Sequence, residues 1–193
     1  MQTGYELFLH EMSDMLDAER RLVEALHRLE EDSSYPQLKQ AFADHGRQTE
    51  GHVERLEQCF ELLDAEPKPT QCAGIRGIIQ EKESFMEENP ESDILDTFHV
   101  GAGIKTENYE ICAYQALINM AEALGQSKAA RLLNANLKEE NAALKKLQGF
   151  EKKIRPSRMH EDEEEAVPAA RRRAAGPGLR GSRQRAARPR RAA

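Results

Sequence analysis

Apolar residues recur at three- and four-residue spacing through four long stretches of this chain, the signature of amphipathic helices. The first stripe runs Phe8, Met12, Met15, Leu22, Leu26 and Leu29, and Thr3 with Glu6 forms a capping box at its start. Asp32-Ser33-Ser34 breaks the pattern, and Pro36 suits the first turn of the next helix. The second stripe reads Leu38, Phe42, Leu56, Cys59 and Leu63. The third reads Gly103, Tyr114, Leu117, Ala121 and Leu124, with Asn89-Pro90 predicted as its N-cap and first helical residue. Gly125 stops it, Ser127 is placed to cap the fourth helix, and that stripe continues as Ala130, Leu133, Leu137, Leu144, Leu147 and Ile154.

Only a few residues separate the first helix from the second and the third from the fourth. Each pair is therefore expected to be an antiparallel hairpin. Between the hairpins, Ala65-Glu66-Pro67-Lys68-Pro69-Thr70 cannot be helix interior, and a shorter apolar segment follows around Ile75, Ile78, Ile79 and Phe85. A connection of this length can cross the bundle and set the second and third helices parallel. The fold class predicted is all-α: a ferritin-like four-helix bundle with one long crossover carrying a short fifth helix.

The bundle is expected over residues 1–155. From Pro156 onward the periodicity ends: an acidic run, Glu161 to Glu165, precedes an Ala/Arg/Gly/Pro tract that reads as disordered. The net charge of −6 conceals this asymmetry. Residues 166–193 hold nine arginines and no acidic side chain, so removing those nine positive charges leaves −15 on residues 1–165. Such a bundle repels nucleic acid, and contact with it is expected only through the tail. No apolar run approaches the ~20 residues of a membrane span, the N-terminus lacks an export signal, and three cysteines without metal-type spacing read as reduced thiols. Together these predict a cytoplasmic protein.

Each stripe is interrupted near its middle by polar residues. Glu19 sits between Met15 and Leu22; His45, Thr49 and His52 interrupt the second stripe; Glu107 and Glu110 lie on the third; Glu140 lies between Leu137 and Leu144. A helix cannot bury the flanking residues without drawing these inward, and an uncompensated buried carboxylate costs several kcal/mol. A divalent cation removes that cost, and carboxylate with imidazole suits iron, with manganese or zinc as alternatives. The candidate ligands are Glu19, His45, His52, Glu107, Glu110, Glu139 and Glu140. Ferritin-like di-metal sites draw a Glu-x-x-His from two helices. Here the second helix reads His45-Gly46-Arg47-Gln48-Thr49-Glu50-Gly51-His52 and the fourth Glu139-Glu140-Asn141-Ala142-Ala143-Leu144, so neither carries that motif. Glu50 reads as a surface charge.

The stretches Asp17-Ala18-Glu19-Arg20-Arg21-Leu22, Leu38 to Phe42 with His45, Thr49 with Val53-Glu54-Arg55-Leu56, Glu107-Asn108-Tyr109-Glu110-Ile111 with Tyr114, and Glu139-Glu140 resemble the YciE/YciF family of ferritin-like bacterial stress proteins. The likeness spans about residues 4–154. It implies subunits of four long helices and one short helix that pair as homodimers, a rubrerythrin-like di-metal site, and Glu19, Glu110 and Glu140 as its strongest ligands. Relatives have Glu at Gln48 and Asp at Leu144. The expected function is a metal-binding stress protein, of di-iron or di-manganese type, handling iron or reactive oxygen species. Any enzymatic activity is expected to be of ferroxidase or peroxidase type. The alternatives are a non-enzymatic helical interaction protein with a degenerate site and a nucleic-acid-associated protein acting through the basic tail.

Overall fold

The structure, a computed structural model, describes residues 1–156. The predictions of disorder and of nucleic-acid contact for the tail fall on residues outside these.

Five helices follow one another: α1 (Gly4–Asp32), α2 (Pro36–Leu62), α3 (Ala73–Met86), α4 (Ser92–Ala123) and α5 (Ser127–Glu151). The expected capping box opens α1, with the Glu6 amide donating to Thr3 Oγ1 and the Glu6 carboxylate accepting from the Thr3 amide. Pro36 occupies the start of α2, where its missing N–H breaks no intrahelical bond. The short helix of the crossover is α3.

Two helix starts differ from expectation. Asn89 has φ 51° and belongs to the turn after α3; α4 begins at Ser92 with Glu91 as its cap. An Asn tolerates left-handed backbone that a following helix start would not use. Ser127 is the first residue of α5 instead of its cap, because Gly125 at φ 73° has already reversed the chain and Gln126 holds the cap position.

Long-range contacts give the bundle its order. α1 packs on α2, α2 on α5, α5 on α4 and α4 on α1, while α3 lies across α1 and α4. His45 meets Glu107, and seven residues further along each helix His52 faces Tyr114, so α2 and α4 run parallel as the crossover allowed. The turn between α1 and α2 is pinned by Asp96 of α4. Its carboxylate accepts from the Ser34 amide (2.8 Å), the Ser34 hydroxyl (2.6 Å) and the Tyr35 amide (2.9 Å).

The apolar core is divided. One cluster, including Phe8, Met12, Leu16, Leu56, Leu117 and Leu133, fills the bundle on one side; a smaller one of Leu26, Leu38, Phe42, Val100 and Leu147 fills the other. The polar interruptions of the four stripes lie between them. In α5 the stripe is rotated from the one expected: Asn136 and Ala143 are buried, whereas Leu137 and Leu144 are only half-buried. The reason is volume. Two leucines beside Glu140 would fill the space its carboxylate needs, while Asn136 and Ala143 leave it open. On α4, a Cβ on Gly103 would stand 2.9 Å from Leu147 Cδ1, so the absence of a side chain lets α4 and α5 close together just beyond the polar layer.

Candidate metal centre

Glu19 of α1, His45 and His52 of α2, Glu107 and Glu110 of α4 and Glu140 of α5 are all buried at mid-bundle. Helical periodicity puts them there. Each lies on its helix's buried face: Met15 and Leu22 flank Glu19, Leu56 follows His52, and Asn136 and Ala143 flank Glu140.

Their donor atoms converge in two groups of three, Glu19–His52–Glu140 and His45–Glu107–Glu140, each with its ligand atoms within 4.8 Å of one another. Glu140 belongs to both, one carboxylate oxygen facing each. Its Oε1 lies 2.6 Å from His52 Nδ1 and its Oε2 lies 3.5 Å from His45 Nε2. Glu107 Oε1 approaches His45 Nε2 to 3.1 Å, and Glu19 Oε1 approaches His52 Nδ1 to 3.4 Å.

Close as they are, several of these atoms have no well-aligned hydrogen bond. Glu19 Oε2, His52 Nδ1, Glu107 Oε2 and both oxygens of Glu140 are buried without a hydrogen-bond partner. Buried polar atoms are ordinarily paired, and a cluster of exceptions requires an explanation. These atoms face one another because each points toward a common space, as ligands do, not along a donor–acceptor line.

Electrostatics point the same way. Burial pushes the Glu107 and Glu140 carboxyls up to about 7, with Glu19 adding to the rise at Glu107 and Glu107 adding to it at Glu140. Glu19 is raised by burial and by Glu140; Glu110 is held well above the carboxylate range by burial, Glu140, Glu19 and Glu107. Burial disfavours charge on His52, but Glu140 and Glu19 outweigh it and push its pKa up to about 10. Four carboxylates in one dry layer cannot all ionise without compensating charge, and two divalent cations would balance all four. Oxygen and imidazole donors, three to a group, with a doubly shared carboxylate, fit a divalent transition metal. They leave coordination positions open.

The surrounding residues orient the donors. His52 Nε2 lies 2.9 Å from Glu139 Oε2, so its N–H can donate outward and leave Nδ1 to face Glu19 and Glu140. Glu139 is half-exposed and also accepts from the Arg55 guanidinium. Arg55 Nε donates in turn to Asn136 Oδ1. Asn136 Nδ2 donates to the Tyr114 hydroxyl (2.8 Å), and that hydroxyl donates to Glu19 Oε1. His45 Nδ1 lies 3.4 Å from Gln48 Oε1, which would leave Nε2 free for the cluster. Such partners fix ring orientation and tautomer at metal-binding histidines.

Of the seven candidate ligands, five enter the two donor groups. Glu110 is buried beside them but outside both groups, and Glu139 stands behind His52. Glu50 is exposed. Sequence reasoning did not single out Asn136 or Arg55; Asn136 was detectable as a polar residue one turn before Glu140, masked by the apparent claim of Leu137 to the stripe. A second buried polar cluster was also missed. His99 is fully buried, its Nδ1 lies 3.0 Å from Ser33 Oγ, and its Nε2 has no hydrogen-bond partner. Burial, with Lys82 nearby, lowers its pKa to about 4.

Fold and buried donors define a ferritin-like helical bundle with a candidate metal centre at mid-height. Comparison with known proteins places the chain more narrowly. Residues 3–160 match the family described as "Domain of unknown function (DUF892)", and the chain belongs to it. It is 36% identical over 143 residues to "Protein YciF" of Escherichia coli strain K12, an alignment covering 74% of this chain and 86% of that protein. The crystal structure of YciF, described as an E. coli stress protein, superposes with a TM-score of 0.75, covering 78% of this chain and 96% of that one. YcfI from Rhodopseudomonas palustris gives a TM-score of 0.74 at 35% identity, covering 77% and 94%. A Xanthomonas campestris protein gives 0.65 at 20% identity, covering 79% and 93%, which speaks for the fold alone. No helix among the described residues is long and apolar enough to cross a membrane.

Proposed function

We propose that this protein binds divalent transition metal, with iron the favoured ion, in its central polar layer and handles iron or reactive oxygen species under stress. The observation that carries the proposal is the sharing of Glu140 between two groups of buried donors, several of whose atoms otherwise have no partner. The relationship to the stress protein YciF supports the physiological setting.

In this reading Glu19, His52 and Glu140 hold one cation and His45, Glu107 and Glu140 a second. Iron held by these residues would supply one-electron chemistry toward dioxygen or peroxide. The protein's part is to aim His52 Nδ1 and His45 Nε2 inward through Glu139 and Gln48, and a bound cation would displace the proton from each nitrogen it takes. Tyr114 and Asn136 fix Glu19, and two apolar clusters exclude bulk water above and below. We also propose a homodimer in the cytoplasm, with light scattering as the check on its assembly.

The test is elemental analysis of protein purified without chelator, beside Glu140→Ala and Glu19→Ala. Near two equivalents of iron, lost from both groups in Glu140→Ala but from only one in Glu19→Ala, is the expected result. Less than a tenth of an equivalent after reloading, with unchanged spectra in all three, would sink the proposal. That outcome would leave the degenerate-site reading, which the exposed Gln48 and half-buried Leu144 favour.

A further inference from the structure

His45 and Glu107 line two separate spaces. The first is a groove of about 480 Å³ between α2 and α5, edged by Asp44, Arg47, Gln48 and Lys146. Its rim is charged, with Asp44 paired to both Arg47 and Lys146, and suits water and polar solutes. The second is a cavity of about 70 Å³ beneath α3, where α1 and α4 meet. Because the helices are ordered α1, α2, α5, α4 around the bundle, these spaces approach the donors from opposite edges.

The cavity differs in chemistry from the groove. Leu22, Leu26, Ile78, Ile79 and Ala102 supply its walls, and the only donors of the polar layer that reach it are His45, Glu107 and Glu110. Along most of its surface a water molecule would find none of the two to four polar partners that hold water in a protein interior. Its volume is about half that of an apolar cavity known to admit benzene or xenon, so it suits a diatomic molecule. Ion pairs strap α3 to α1 beside it, Arg28 to Glu83 at 3.6 Å and Lys82 to Asp32 at 2.5 Å. A polar oxidant such as peroxide would find its hydrogen-bond partners in the α2/α5 groove instead.

We propose that the cavity beneath α3 is a binding site for dioxygen, holding it next to the His45–Glu107–Glu140 donors. This deepens the metal-binding reading and rests on it for the identity of the gas. The site itself can be tested without metal. Dioxygen is paramagnetic, so dissolved gas broadens the methyl resonances of residues it visits.

The experiment compares the full chain, metal-free and zinc-loaded, under argon and under dioxygen, with xenon as a second probe. The methyl groups of the buried Leu22 and Leu26 are expected to broaden more than those of the buried Leu56 and Leu133, and those of the half-buried Ile78 and Ile79 more than those of the half-buried Leu137 and Leu144. Saturable xenon shifts should appear at the same methyls. Ile79→Phe, on the short helix that contributes least to the bundle, should remove both effects by filling the space, and Ile79→Ala should retain them. Broadening no greater than at Leu56 and Leu133, or persisting in Ile79→Phe, would overturn the proposal. Selective broadening in a chain that takes up no zinc on loading would instead sink the metal reading and leave the gas site standing.

Discussion

Without metal, the chain is expected to have a stability that depends on pH in a direction opposite to that of most proteins. Glu107 and Glu140 are raised by burial from 4.5 to about 7. Between those values the folded chain keeps protons that the unfolded chain has released. The resulting stabilisation is fully present below pH 4.5 and is lost as pH rises through 7. A displacement of that size is worth roughly 3 kcal/mol for one group. The two carboxyls share charge with His45 and His52, so their joint contribution is less than twice that. His52, raised from 6.5 to about 10 by Glu140 and Glu19 against its burial, acts in the same sense at higher pH. His99 opposes them. Burial lowers it from 6.5 to about 4, so its contribution is present above 6.5 and is lost as pH falls through 4. Two carboxyls against one imidazole leave the acid-favoured slope in place.

Thermal unfolding in chelator, followed by circular dichroism at about pH 8 and about pH 5.5, should therefore show the higher Tm at the lower pH. Between pH 5.5 and pH 8 one such carboxyl loses about 2 kcal/mol of that stabilisation, which at 2–4 °C per kcal/mol for a chain of this size corresponds to ~4–8 °C. Glu140→Gln should flatten the profile, and His99→Gln should steepen it below pH 6.5. With iron or manganese bound, the slope should reverse, because the cation needs deprotonated ligands. A metal-free chain equally stable at the two pH values, or more stable at pH 8, would refute the argument that these carboxylates are uncompensated.

Three further outcomes follow from the hydrogen-bond network. Glu139→Ala should weaken metal binding about 10–100-fold in calorimetric titration, while Glu139→Gln, which keeps an acceptor for His52 Nε2–H, should restore most of it. Tyr114→Phe leaves Glu19 Oε1 without its donor and Asn136 Nδ2 with only its 3.3 Å bond to the His52 carbonyl, and should cost about 1–3 kcal/mol in urea unfolding of the metal-free chain. Asp96→Ala strips three donors at the α1–α2 turn of their shared acceptor; the expected loss is about 3 kcal/mol by the same assay, with metal content unchanged because the site lies elsewhere.

The sequence by itself determined the four stripes, the hairpin pairing and the need for a polar layer, because helical periodicity acts locally and buried neighbours such as Met15 and Leu22 carry Glu19 inward with them. It also marked Glu19, His45, His52, Glu107 and Glu140, since each interrupts an apolar stripe. What it could not determine was which donors meet. Glu139 and Glu140 are adjacent in the chain, yet a rotation of about 100° per residue sends one behind His52 and the other between both histidines. That rotation was settled by packing: Asn136 and Ala143 fit beside the carboxylates, and Leu137 and Leu144 do not. The orphaned oxygens, the Tyr114–Asn136–Arg55–Glu139 chain and the cavity beneath α3 depend on relative positions of different helices. Only tertiary structure fixes those, because no local propensity records how far one helix stands from the next.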